Sequence, residues 1–222
     1  MAYILTIETA TKNCSVALAK DNTTIALKEF AGEGYAHAEK LHVFIDEIIN
    51  AAGISYTTLD AVAVSMGPGS YTGLRIGVSA AKGLCYALEI PLIALDTLEI
   101  LARAVSIESG IIIPMIDARR MEVYSALFTP QYKKIGDTQA EVLTESSYNH
   151  IEEPLHLCGD GAAKFAGIAT NANVCLHQDI IYPSAAQMAQ MAFDKYKISD
   201  IVDVAYFEPY YLKDFIAGKK QL

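Results

Sequence analysis

One short pattern occurs twice in this chain: an apolar strand that ends in a carboxylate, then a turn, then a second strand. Tyr3 to Glu8 leads into Cys14 to Lys20, and Ile113 to Asp117 leads into Met121 to Phe128. Setting Ile7-Glu8 against Ile116-Asp117 places Val16-Ala17-Leu18 against Ser125-Ala126-Leu127, and a repeat of this kind implies two related lobes. With 222 residues, each lobe has enough chain to bury a core of its own. The expected division is an N-terminal lobe over 1–105 and a C-terminal lobe over 106–204, with the aromatic tail 205–222 packing back on a lobe.

The remaining periodicities fill in the lobes. Thr23 to Glu29 adds a third strand to a meander. A helical pattern runs from Tyr35 to Ala52 with Gly53 as its stop, followed by the strand Ala61 to Met66, a helix from Thr72 to Leu88 and the strand Pro91 to Leu95. Strands that alternate with helices require parallel crossovers, so the class is α/β, with mixed sheets flanked by helices. A connecting helix near Thr97 to Val105 leads to the second lobe, which continues with strands at Lys133 to Leu143, Leu155 to Cys158 and Asn173 to Leu176. A short helix follows Gly159-Asp160-Gly161, and Ser184 to Tyr196 is a longer one.

Composition excludes several classes. Hydrophobic residues make up 52% and charged residues 19%, a balance that can offset the ordering entropy a disordered chain cannot. The densest apolar stretch, Ile111 to Ile116, is far short of the roughly 20 residues a bilayer span needs. The N-terminus has no basic segment and meets Glu8 early, so the chain is expected to remain cytoplasmic. A net charge of −9, shared by both halves, opposes unaided binding to a polyanion. Cys14, Cys85, Cys158 and Cys175 show no CxxC spacing, which favours reduced, mostly buried thiols over a zinc or redox motif.

Few residues carry recognisable chemistry. Gly67-Pro68-Gly69-Ser70-Tyr71-Thr72-Gly73-Leu74-Arg75-Ile76-Gly77 sits where a strand gives way to a helix. It is neither a Walker A loop nor GxGxxG, and its mechanical reading is a turn with Ser70 or Thr72 capping the helix. Glu8 and Asp117, at equivalent strand ends, are candidate cofactor ligands in an interlobe cleft, with solvated strand-end carboxylates as the alternative. The turn Thr9 to Asn13 lacks the glycine that would let backbone approach a phosphate. His37 and His42 lie about 140° apart around their helix and cannot share a metal from one face. HExxH is absent, and His150, His156 and His177 fall in unrelated segments, so no metal site is expected.

The two helices of the first lobe are more suggestive. Leu41, Phe44, Ile45 and Ile48 belong to a broad apolar arc. The second helix is apolar or small nearly all round apart from a stripe at Arg75, Ser79, Lys82 and Tyr86, and Gly73, Gly77 and Ala81 form a flat track four residues apart. A partner surface is expected here, built from those first-helix residues with Gly73, Arg75, Ile76, Gly77, Ala80, Ala81 and Leu84.

Taken together, Ile4 to Thr11 with Cys14 to Leu18, the Gly67 to Gly77 stretch, Ile116-Asp117-Ala118-Arg119-Arg120 with Glu122-Val123-Tyr124, and the tail Pro209 to Lys213 resemble the bacterial TsaB (YeaZ) family nearly end to end. Met121 stands where that family usually has glycine. The resemblance implies a two-lobed actin-like ATPase (ribonuclease H-like) fold and a non-catalytic subunit that supports TsaD in transferring threonylcarbamoyl to the adenosine beside a tRNA anticodon. It further implies TsaE as a third component, ATP and metal on the partner subunits with no intrinsic cofactor, tRNA contact only through the complex, and a homodimer when the chain is alone. TsaD's HxxxH ligand pair is not reproduced, because four residues separate His37 from His42, and glycoprotease-type labels imply no activity here. The competing reading is an ATPase or kinase that uses its own cleft through Glu8 and Asp117; a metallopeptidase fails on ligand spacing.

Overall fold

The computed structural model describes residues 1–32, 34, 36–170 and 172–213. The first sheet contains β1 (Tyr3–Glu8), β2 (Cys14–Lys20), β3 (Thr23–Phe30), β4 (Ala61–Gly67) and β5 (Leu92–Asp96), in the order β3-β2-β1-β4-β5. The second contains β6 (Ile111–Asp117), β7 (Glu122–Phe128), β8 (Lys134–Val142), β9 (Leu155–Cys158) and β10 (Val174–Leu176), in the order β10-β9-β6-β7-β8. Each sheet is an antiparallel meander extended by two parallel strands, so β6 plays the part of β1, and Glu8 and Asp117 end equivalent central strands. The internal repeat is therefore structural.

Residue size along the strands sorts the faces of the first sheet. Leu5, Ile7, Val16, Leu18, Val62 and Val64 pack beneath α1 (His37–Ala51) and α2 (Tyr71–Leu88). Their alternate neighbours, chiefly Ala17, Ala19, Ala61 and Ala63 with Ile4, form the opposite face. Period-2 alternation delivers each set to its own side. α1 stops where Gly53 adopts φ 65°, and Ser70 caps α2 by accepting a hydrogen bond from the Gly73 N–H at 3.3 Å, as the residue types suggested. The α1 pattern began at Tyr35, which lies outside the described residues.

The lobe boundaries differ from those the sequence suggested. α5 (Met188–Lys197), expected at the end of the second lobe, packs instead on the alanine-rich face of the first sheet through Ala185, Met188, Ala189 and Ala192. Those positions recur at helical spacing, and small side chains on both surfaces let helix and sheet approach closely. The segment is tied down by hydrogen bonds from Thr6 Oγ1 to the Ala185 carbonyl (3.1 Å) and from the Ala185 N–H to Ser15 Oγ (2.9 Å). Conversely, α3 (Thr97–Ala102), which leaves β5, buries Leu98, Leu101 and Ala102 against Ile112, Ile116 and Phe128 of the second sheet. Asp96 caps α3 and also pairs with Lys134 of β8 at 2.7 Å. Each half of the chain thus supplies a helix to the other half's sheet.

The tail packs on the first lobe through Tyr210, and Lys213 beyond it pairs with Glu122 of the second sheet. The Tyr210 N–H donates to the Met66 carbonyl at 2.7 Å, and Lys82 Nζ donates to the Ala205 and Phe207 carbonyls at 3.1 and 3.0 Å. Lys82 is therefore a tail anchor. Residues 214–222 lie outside the described residues.

Glycines on α2 divide into two kinds. A Cβ at Gly77 would fall on Thr9 Oγ1, whereas one at Gly83 would meet nothing within 4 Å. Gly77→Ala is expected to destabilise the fold by about 1–3 kcal/mol through overpacking. Gly83→Ala should instead stabilise it by up to about 1 kcal/mol through helix propensity. Urea unfolding of the two variants beside the parent checks both signs.

Candidate functional site

Two regions merit description: the cleft between the sheets and the outer face of α1 and α2. The cleft is floored by the β1–β2 turn (Ala10 to Lys12), the Pro68 to Thr72 turn, and Asp117, Arg119 and Asp160 from the second sheet, with Tyr210 to Lys213 of the tail along one side. It holds cavities of about 720 and 580 Å³.

The two carboxylates expected to share that cleft do different work. Glu8 is fully buried and does not line the cleft; its Oε1 accepts the Ala10 N–H at 2.6 Å and so closes the β1–β2 turn from inside. Burial pushes its pKa up to about 7, against the opposing pull of the Ala10 N–H and the Ser65 hydroxyl. Asp117 does line the cleft, but its Oδ1 is held by Lys164 Nζ at 2.7 Å and by the Arg119 N–H at 2.5 Å. Asp160 beside it accepts the Asp117 N–H at 2.8 Å. Burial raises the Asp160 pKa, and Lys164 and Lys12 pull it back down. A divalent cation at Asp117 would face an ammonium already in place, and Glu8 contributes nothing to it.

The β1–β2 turn is likewise occupied with its own structure. Ala10 N–H is taken by Glu8, Asn13 N–H points to Thr11 Oγ1 at 3.4 Å, and Asn13 Nδ2 donates to the Pro183 carbonyl at 3.1 Å. A phosphate-holding hairpin needs such amides aimed outward. His37 is buried: its Nε2 meets the Thr11 carbonyl at 2.8 Å, and burial lowers its pKa.

The expected partner surface separates into two sets. Leu41, Ile45, Ile48 and Ala81 are 0–2% exposed and belong to the core, which corrects their assignment to an interface. Gly73 and Gly77 are also buried, pressed against the backbone and side chain of Thr9, so the small-residue track serves close approach to the chain's own hairpin. Arg75 is exposed, while Phe44, Ile76 and Leu84 are half-buried and Ala80 is 9% exposed. Arg75, Ile76, Ala80 and Leu84, joined by Ala38, His42, Ser79 and Gly83, line a groove of about 760 Å³ between the helices. Of the last four, Ala38 and Gly83 carry no reading from the sequence, while His42 and Ser79 are read there in other roles. Gly83 continues, at helical spacing, the face of Ile76 and Ala80 that was already part of the expected surface.

Glu8 generates a pH test. Its folded-state pKa of about 7 exceeds the ordinary 4.5, so the native state holds the extra proton between those values. Stability should fall as pH rises through that window and level off above it, by an amount on the order of 3 kcal/mol. Glu8→Gln keeps an acceptor for the Ala10 N–H and removes the ionisation, so it should exceed the parent in stability at pH 8 and lose most of that advantage at pH 5. Denaturant midpoints at the two pH values decide it, and parallel pH profiles would show that Glu8 ionises normally.

Similarity to known proteins agrees with this architecture. Residues 33–208 match the family model "TsaD: tRNA N6-adenosine threonylcarbamoyltransferase". The chain is 30% identical to the "tRNA threonylcarbamoyladenosine biosynthesis protein TsaB" of Escherichia coli, over 98% of this chain and 97% of that one. Among solved structures, YeaZ from Pseudomonas aeruginosa superposes with a TM-score of 0.84 at 25% identity, covering 96% of this chain and 100% of that one. EutJ from Carboxydothermus hydrogenoformans, at 11% identity and a TM-score of 0.54 over 86% and 90% of the two chains, shares the fold alone. The exchange of helices between two equivalent five-stranded sheets is thus the two-lobed actin-like ATPase architecture, and the chain belongs to the TsaB (YeaZ) family.

Proposed function

We propose that this chain is a non-catalytic subunit in the synthesis of threonylcarbamoyladenosine on tRNA, and that it supports TsaD by docking through the groove between α1 and α2. Membership of the TsaB family supplies the pathway. The observation that carries the docking role is the groove itself: Ile76, Ala80 and Leu84 form an open apolar seam between two helices whose opposite faces are already committed to the core. A helix from a partner of the same fold is the natural complement to such a seam.

The non-catalytic reading rests on chemistry. Glu8 is internal, Asp117 is paired with Lys164, and the turn amides named above are consumed within the chain, which leaves the competing ATPase reading without a placed metal ligand pair. Nucleotide and metal are accordingly assigned to partner subunits, with TsaE as the third component. Contact with tRNA is assigned to the assembled complex, in keeping with a net charge of −9. Without a partner, the same groove would pair two copies of the chain. No helix among the described residues is long and apolar enough to cross a membrane.

Gly83→Arg tests the docking role without touching the core, since the position is open on its own chain and arginine is the better helix former. The variant should keep its thermal stability, bind TsaD at least about tenfold more weakly, a loss of roughly 1.4 kcal/mol, and lower the yield of modified tRNA in a reconstituted mixture. The isolated parent chain should form no modified tRNA by itself. Unchanged TsaD affinity in the folded variant places the interface elsewhere, and magnesium-dependent ATP hydrolysis by the pure chain that is lost in Asp117→Ala would favour the ATPase reading.

A further inference from the structure

We infer that His156, Cys175 and His177 form a binding site for a zinc-class divalent ion on the edge of the second sheet. The three residues looked unrelated in sequence, but β9 and β10 pair in parallel with His156 directly opposite Cys175, and His177 follows two positions after Cys175. Strand alternation therefore puts all three side chains on one face, while Leu155 and Leu157 turn to the core on the other. One ligand atom from each residue lies within 4.8 Å of the others, and this is the one such group among the described residues.

The geometry is close to that of a filled site. His156 Nδ1 and His177 Nε2 are 3.1 Å apart, whereas two nitrogens on a tetrahedral zinc at the usual bond lengths are separated by about 3.3 Å. The surrounding chain fixes the first ligand. The Ser109 backbone carbonyl lies beside the His156 ring, which turns Nδ1 to His177. Gly110, at φ 99°, makes room for the ring, because a Cβ there would come within 3.0 and 3.1 Å of His156 Cδ2 and Nε2. His177 is positioned through its backbone N–H, which donates to the Leu157 carbonyl at 2.9 Å.

Two imidazoles and a thiolate select borderline and soft ions over magnesium or calcium. Cys175 is exposed, whereas Cys14, Cys85 and Cys158 are buried, so the ion has a path in and water completes the fourth position. Binding releases the Cys175 thiol proton to solvent and shifts the His177 proton from Nε2 to Nδ1. The ion would cross-link β10, an edge strand of only three residues, to β9.

Titration of the untagged, chelator-stripped full chain with zinc chloride, followed calorimetrically, tests the site. The expected result is one ion per chain with a dissociation constant of about 1 μM or tighter, and cobalt(II) as a probe should show a thiolate-to-metal absorption band. Cys175→Ser should abolish that band and weaken zinc at least about tenfold, and Cys175→Ser combined with His177→Gln should remove saturable binding. His150→Gln, outside the cluster, should behave as the parent. Binding no tighter than about 100 μM, a cobalt complex without the thiolate band, or parental zinc affinity in the double variant would each overturn the assignment.

Discussion

The first lobe is organised around the contact between the β1–β2 turn and the start of α2. Ser70 N–H donates to the Ala10 carbonyl at 2.6 Å, and Thr9 Oγ1 donates to the Gly73 carbonyl at 2.8 Å. The approach is possible only because Gly69, Gly73 and Gly77 offer no side chain on that side: a Cβ at each would collide with Ala10 or Thr9. Glu8 from below and His37 from α1 then lock the turn by binding Ala10 and Thr11. The burial of a carboxylate near neutrality is tolerable here because one oxygen is held by an amide and the proton can be retained. Once the turn is fastened to α2, α1 and α2 are set at a fixed separation, and the seam outside them acquires its shape.

That arrangement also bears on the cleft. In a two-lobed fold of this kind the turns at the ends of β1 and β6 face each other, and whatever their amides and carboxylates do not satisfy within the chain is free for a ligand. Here most of that capacity is used internally, with Lys164 on Asp117, Asp117 N–H on Asp160 and Glu8 on Ala10. The exchange of α3 and α5 between the sheets, together with the Asp96–Lys134 pair, binds the lobes to one another. The fold retains its cleft, while an apolar seam lies between α1 and α2.

Much of this was legible in the residues. The element order, the repeat centred on Glu8 and Asp117, the helix stop at Gly53 and the helix cap at Ser70 follow from local periodicity and capping, which depend on neighbours within a few positions. The alternation of valine and leucine with alanine in β2 and β4 even recorded that the two sheet faces carry different helices. What it could not record was which helix. α5 follows β10 in the chain yet covers the first sheet, where alanines on both surfaces let it pack closely.

The site was less legible, for a related reason. Helical spacing places Gly73, Gly77 and Ala81 on one side of α2 and Ile76, Ala80 and Leu84 on another, but both sides are small or apolar and periodicity carries no label for inside or outside. Position relative to Thr9 decided it. His156, Cys175 and His177 were invisible for the opposite reason: strand register brings them together, and register is a property of the paired sheet. By itself the sequence determined the elements, the doubled architecture and the family, since these rest on short-range patterns repeated along the chain. Only the tertiary structure decided which small residues are buried, which carboxylate reaches the cleft and which distant histidines meet, since each depends on contacts between segments that no local pattern relates.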